Sequence, residues 1–306
     1  MCKNVLVLLP LNPKSKTHLE EQAKTWIFGY SSSDKISVGE IERANIIIGN
    51  PPVKMLSHAR KLEWLQLESA GTGDYINPGV LPKGTLLTNA TGAYGLAISE
   101  HMLGMLFEIY KKLYLYRDYQ IDMQWKDAGT VKSVYQSTVL IVGLGDIGGE
   151  FARRIHALGG YTIGIRRSGT DKPDYLDELH HLDQLDSLLP RADVVALSLP
   201  ETPQTHHLFN RERLQMMKPD AVLLNVGRGT AIQTDDLCDV LESGHLLGAG
   251  LDVTNPEPLP KDHRLWKIPN VIVTPHVSGG PHLPETYRRI LEISAQNLNA
   301  FVNHTA

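Results

Sequence analysis

The chain has 306 residues, of which 42% are hydrophobic and 21% charged, with a formal net charge of -4. That length accommodates two domains with a core each, and the slightly acidic balance offers no basic surface to draw in nucleic acid. Cys2 and Cys238 are the only cysteines, too few for a disulfide framework, which points to a reducing, cytoplasmic compartment.

The first apolar run, residues 5–9, stops at Pro10; it is too short for a signal-peptide core or a membrane span and reads as a β-strand. Similar runs follow at residues 46–48, 139–142, 161–165, 194–199, 221–226 and 271–274. Each is continuous rather than alternating, and amphipathic helix-length segments separate them. That combination indicates parallel sheets buried on both faces, a doubly wound α/β architecture.

Residues 97–120 carry helical apolar spacing at Ile98, Met102, Met105, Leu106, Ile109 and Leu113. They predict one helix of roughly 36 Å, a connector that puts a domain boundary near residues 91–99. Its tyrosines, Tyr110, Tyr114, Tyr116 and Tyr119, cannot all face one core. They pack either within the chain or at a subunit interface, where tyrosine is enriched.

In VLIVGLGDIGGEFARRIHALGG a strand runs into Gly143, Gly145 and Gly148 and then into a helix. Gly143 allows the tight turn, Gly145 the close approach of a pyrophosphate, and Gly148 close helix–strand packing, with the helix N-terminus favouring the anion. The turn GLGDIG, including Asp146 and Ile147, is therefore a candidate dinucleotide site. The next strand, residues 161–165, ends in Arg166, Arg167 and Ser168, where a carboxylate for the ribose of NAD often stands. Guanidinium groups and a hydroxyl there suit the extra phosphate of NADP; the alternative is a solvated basic turn.

Three polar residues sit just after later strands: Arg228 in LLNVGRGTAI, Glu257 in GLDVTNPEPLP and His276 in VIVTPHVSGG. The C-terminal edge of an open α/β sheet is where ligands bind, so the three can converge there. Arginine can hold a carboxylate and polarise a carbonyl, histidine can donate the proton that accompanies hydride, and glutamate can orient the imidazole. Most of the 13 histidines have structural or surface roles, and the pairs His180–His181 and His206–His207 lack the partners of a zinc site, so no metal is expected.

With GLGDIG, LPETPQT, NVGRG, LDVTNPEPLP and TPHVSG, nearly the whole chain resembles the D-isomer-specific 2-hydroxyacid dehydrogenase family. The resemblance implies two Rossmann-like doubly wound parallel-sheet domains with a cleft between them. The substrate-binding domain would be discontinuous, residues 1–92 and 283–306, with the final helix returning to it; residues 93–282 would form the dinucleotide-binding domain. It implies catalytic roles for Arg228, Glu257 and His276, and substrate-carboxylate binding by Ala70, Gly71 and Thr72 in SAGTGDY together with Arg228 and His276. It further implies cofactor contacts from Leu199, Pro200, Val226 and Gly227, and from Asp252 to the nicotinamide carboxamide. Many members carry aspartate where this chain has Arg166, so the departure implies NADPH preferred over NADH.

The expected activity is 2-keto acid reduction by a homodimer. Loops near residues 69–75, Tyr94 and His282 are expected to shape the substrate pocket. The alternative from another class is a dinucleotide-sensing binding protein on the same scaffold, like the corepressors that resemble this family. Fold alone does not separate the two.

Overall fold

The computed structural model describes residues 2–280 and 283–303. The chain runs β1 (Asn4–Val7), α1 (Pro13–Glu20), β2 (Ile27–Tyr30), α2 (Val38–Arg43), β3 (Ile46–Ile48), β4 (Trp64–Gln66) and β5 (Leu86–Thr88), then α3 (Gly95–Tyr110) and α4 (Leu113–Ile121). It continues through β6 (Thr138–Val142), α5 (Asp146–Ala157), β7 (Tyr161–Ile165), β8 (Glu178–His180), α6 (Leu185–Leu188), β9 (Val194–Leu197) and α7 (Arg211–Met216). β10 (Val222–Asn225), α8 (Thr234–Glu242), β11 (Gly248–Leu251), β12 (Val271–Val273) and α9 (Pro284–Val302) complete it. Two compact units result, residues 1–94 with 281–306, and residues 95–280.

The first unit is built on a five-stranded parallel sheet, ordered β2-β1-β3-β4-β5. Its helices start where the sequence supplies N-caps. Asn12 accepts from the Ser15 amide ahead of Pro13, and Ser37 and Glu40 form a reciprocal capping box on α2, each satisfying amides that the helix leaves open. On one face Val5, Val7, Ile46, Ile48 and Trp64 pack with Ile290, Leu291, Ala295 and Leu298 of α9. The face of α9 toward the sheet is thus set by its apolar positions three and four residues apart.

The second unit carries a seven-stranded parallel sheet, ordered β12-β11-β10-β9-β6-β7-β8. The order reverses between β6 and β9, which makes the C-terminal end of β6 the topological switch point where ligands of such sheets bind. β9, β10 and β11 are buried along their whole length, the reason their sequences lack alternation. α5 buries Phe151, Ala152 and Ile155 against this sheet, with about 1.5–3 kcal/mol gained by each large apolar side chain fully buried.

The single helix expected over residues 97–120 is instead two. α3 ends at Tyr110, and Lys112 takes a left-handed backbone, φ 54°, before α4. The two lysines at the break reach the segment after α4, Lys111 Nζ donating to the Lys132 carbonyl and Lys112 Nζ to that of Ala128, both at 2.7 Å. These tethers offset the ~1–2 kcal/mol that a left-handed non-glycine residue costs. Of the four tyrosines only Tyr110 enters the core; Tyr116 is exposed, and Tyr114 and Tyr119 are half-buried.

Candidate active site

The phosphate turn stands at the switch point. Gly143 and Leu144 both donate backbone N–H groups to the Ile165 carbonyl at 3.0 Å, which holds the end of β6 against β7. Gly143 adopts φ +103°, and a Cβ on Gly148 would lie 2.0 Å from the Gly143 carbonyl oxygen. Only glycine permits this closure, and no side chain caps the α5 N-terminus at Gly145. Backbone amides and the positive end of the helix dipole are left for an anion, so the residues present fit a dinucleotide pyrophosphate. Asp146 turns its carboxylate to the Gly95 amide, 2.8 Å away, and Ile147 is half-buried.

At the end of β7, Arg166 folds back on its own loop. Its Nε donates to the Gly169 carbonyl at 3.0 Å and its Nη2 to the Asp171 carbonyl at 2.7 Å. Arg167 and Ser168 are exposed, and Arg167 forms no ion pair among the described residues. The three residues thus stand together, one bracing the loop and two presented by it.

β9 and β10 bring their following residues into contact. A Cβ on Gly227 would lie 2.5 Å from the Leu199 carbonyl oxygen, so Leu199, Pro200, Val226 and Gly227 form one ledge. Thr205 holds its near side by donating to the Pro200 carbonyl at 2.7 Å.

Arg228, Glu257 and His276 follow β10, β11 and β12, which are neighbours in the sheet. Arg228 Nη1 donates to the Gly227 carbonyl at 2.7 Å, and Asn225 Nδ2 holds the Arg228 carbonyl at 3.0 Å. Glu257 Oε1 and His276 Nδ1 are 2.6 Å apart. With Nδ1 on the carboxylate, the imidazole presents Nε2 outward, and both side chains are nearly half exposed.

His276 sits in a left-handed turn, φ 51°, which Asp252 fastens. The Asp252 carbonyl accepts the His276 amide at 2.8 Å. Its buried carboxylate accepts Thr274 Oγ1 at 2.6 Å, the Val277 amide at 3.0 Å, the Ser278 amide at 3.1 Å and Ser278 Oγ.

In the first unit, Ala70, Gly71 and Thr72 follow β4 in a loop pinned by two bonds of 2.7 Å: Ser69 Oγ to the Gly71 carbonyl and Asn89 Nδ2 to that of Ala70. Beside it Tyr94 donates its hydroxyl to the Glu68 carbonyl at 2.5 Å, and burial pushes the Glu68 carboxyl up. Sequence reasoning missed Glu68 and also His101 of α3, whose Nε2 lies 3.0 Å from Thr274 Oγ1. Two adjacent polar positions beside a strand would have flagged Glu68; nothing local marks His101. His282 lies outside the described residues.

Among the described residues no group of three His, Cys, Asp or Glu side chains is arranged to hold a metal ion. His180 pairs with Glu178 and Gln184, while the His206 and His207 rings stack at 4.0 Å. No helix among the described residues is long and apolar enough to cross a membrane.

A glycine turn at the switch point, an arginine and a carboxylate-paired histidine on neighbouring strand ends define a dinucleotide-dependent α/β oxidoreductase. Residues 103–278 match the model of the D-isomer specific 2-hydroxyacid dehydrogenase NAD-binding domain. Glyoxylate/hydroxypyruvate reductase B of Pectobacterium carotovorum is 31% identical over 255 residues, covering 80% of this chain and 77% of the relative. Glyoxylate reductase of Thermofilum pendens is 31% identical over 254 residues, covering 81% and 74%. The crystal structure of a D-isomer specific 2-hydroxyacid dehydrogenase family protein from Aeromonas salmonicida superposes with a TM-score of 0.88 at 31% identity, covering 100% of this chain and 97% of that one. The chain belongs to the D-isomer specific 2-hydroxyacid dehydrogenase family, and its activity is nicotinamide-dependent 2-keto acid reduction. The alternative of a corepressor-like binding protein is not favoured.

Proposed function

We propose that this protein reduces a small 2-keto acid of the glyoxylate or hydroxypyruvate type to its 2-hydroxy acid, of D configuration where the new hydroxyl carbon is a stereocentre, with NADPH as the preferred donor. The observation that carries the reading is the 2.6 Å contact between Glu257 Oε1 and His276 Nδ1, beside Arg228. In this reading residues 1–92 and 283–306 bind substrate and residues 93–282 bind the dinucleotide.

When bound, the reduced nicotinamide supplies the hydride. The chain's own residues do the rest. Arg228 has one guanidinium nitrogen on the Gly227 carbonyl, which orients the fork; its remaining N–H groups hold the substrate carboxylate and polarise the adjacent carbonyl. His276 holds a proton on Nε2 and passes it to the carbonyl oxygen as hydride reaches the carbonyl carbon. Glu257 keeps the imidazole in that orientation through its contact with Nδ1. The amides of Ala70, Gly71 and Thr72 bind the substrate carboxylate, while Asp252, whose buried carboxylate is already filled by four donors, holds the turn that carries His276 in place of the expected carboxamide contact.

Support for NADPH is the positive strand end at Arg166, Arg167 and Ser168, without a carboxylate to repel a 2′-phosphate. Arg166 braces the loop, so Arg167 is the readier phosphate ligand. The protein acts as a homodimer: Met123 is 93% and Trp125 105% exposed, and Leu113, Ile121 and Val131 are exposed in the same stretch of chain. An apolar surface of this kind is what a second copy covers. The two free cysteines, Cys2 and Cys238, support a cytoplasmic location.

The test is NADPH oxidation over a panel of 2-keto acids, each repeated with NADH. Turnover of glyoxylate or hydroxypyruvate with NADPH supports the proposal; activity confined to bulky 2-keto acids, or to NADH, refutes it.

A further inference from the structure

α3 crosses β11 at a spacing that brings a second histidine to the turn carrying the first. A Cβ on Gly248 would lie 3.0 Å from Ile109 Cγ2, and one on Gly250 2.9 Å from Met105 Cβ. The helix therefore rests directly on strand backbone at these two points. Four residues of helix rise about 6 Å and two residues of strand about 6.6 Å, so the next step of the same match sets His101 over Asp252. The observed separation of His101 Nε2 from Asp252 Oδ1 is 3.9 Å.

Thr274 fills the gap between them. Its hydroxyl lies 2.6 Å from Asp252 Oδ1 and 3.0 Å from His101 Nε2. A threonine hydroxyl has one proton, and an ionised carboxylate only accepts. The proton therefore goes to Asp252, and Thr274 Oγ1 accepts from His101. This fixes the proton of the His101 ring on Nε2. The same carboxylate accepts from Thr274, Val277 and Ser278, four donors in all counting both Ser278 groups, which fills about its full acceptor capacity. His101 is thus the outer member of a chain that ends on the left-handed His276 turn.

We propose that His101 is a positioning residue for His276, acting through Thr274 and Asp252 rather than on substrate. The inference rests on His276 being the proton donor. A left-handed histidine flanked by exposed Pro275 and Val277 has little packing to hold it, so its alignment depends on the Asp252 clamp. Thr274 enters that clamp in one rotamer only while His101 donates to it. Loss of the donor frees the Thr274 hydroxyl to turn and loosens the turn by the sub-ångström amounts to which proton transfer is sensitive.

The test compares His101→Ala, His101→Gln, Thr274→Val and Thr274→Ser with His276→Ala, measuring kcat, KM and cofactor affinity. Separately, 15N-histidine spectra of wild type are taken well above pH ~6.5, the unperturbed histidine value. His101→Ala and Thr274→Val are expected to lower kcat ~10- to 100-fold with cofactor affinity kept. His101→Gln, which retains a donor, and Thr274→Ser, which retains the hydroxyl, recover most of it. The spectra show the His101 ring protonated on Nε2. Full kcat in His101→Ala, a His101→Gln no better than alanine, or a proton on Nδ1 overturns the inference. Should His101→Ala not fold, the Thr274 pair and the tautomer decide. Loss of turnover in His276→Ala beside normal His101→Ala defeats this inference alone; full turnover in His276→Ala defeats the proton-donor assignment and this inference with it.

Discussion

His276 Nδ1 lies 2.6 Å from Glu257 Oε1, and the two residues reach each other from the ends of neighbouring strands 19 positions apart in sequence. The contact leaves one imidazole nitrogen for chemistry and commits the other to orientation. Everything proposed about the reaction depends on that division of labour.

Glu257→Gln keeps an acceptor near Nδ1 and removes the charge. His276 then loses the charged partner that orients its ring, so kcat at neutral pH falls ~10-fold or more with cofactor affinity kept. A Glu257→Gln variant that turns over at the wild-type rate means that Glu257 is not the functional partner of His276.

The loop after β7 separates two arginine roles. Arg167→Ala is expected to weaken NADPH about 10- to 150-fold, the equivalent of one hydrogen bond to a charged group at ~1.5–3 kcal/mol, with NADH little changed. Arg166→Asp removes the brace on Gly169 and Asp171 and sets a negative charge beside the 2′-phosphate site, shifting preference toward NADH from both sides. The preference should weaken with salt, since exposed charges are screened over about 8–10 Å. Unchanged cofactor ratios in both variants identify the arginines as a solvated turn.

The exposed segment after α4 predicts the assembly. Light scattering at micromolar concentration is expected to give the mass of two chains, and Trp125→Glu together with Met123→Glu to give one. A monomeric wild type returns the α4 tyrosines to packing within their own chain.

How much of this was legible in the sequence depended on where the determinants lie. β7 and β3 match the apolar runs at 161–165 and 46–48 residue for residue, because strands buried on both faces must be apolar throughout. β11 is implied by the position of Glu257 but has no apolar run of its own: Gly248 and Gly250 lower its hydropathy, and those glycines are there for α3, a reason visible only in three dimensions. The break at Lys112 was equally hidden, since lysine is a good helix former and the tethers to Ala128 and Lys132 are tertiary. Arg228, Glu257 and His276 were readable from strand-end position and motif. The turning of Arg166 onto its own loop was not, because it depends on where the Gly169 and Asp171 carbonyls point.

The second unit's edge offers a pH test. Arg191, with His180 and Tyr161, holds the Glu178 carboxyl down at about 2, below its usual value. A depressed carboxylate contributes stability above its unfolded pKa and loses it as pH falls through the folded one. Glu178→Gln is therefore expected to be less stable than wild type at neutral pH, with the gap closing between about pH 5 and pH 2. Denaturant melts at several pH values read this directly, and a gap that persists at pH 2 rules out the ion-pair account.

The most direct test of the central claim is the single-turnover rate of 2-keto acid reduction by enzyme preloaded with NADPH, wild type against His276→Ala. Preloading separates proton donation from cofactor binding. The account predicts a ~10²- to 10⁴-fold slower step, the usual contribution of a general acid, with the same amount of NADPH bound. A variant that binds NADPH and reduces the keto acid at the wild-type rate would contradict it.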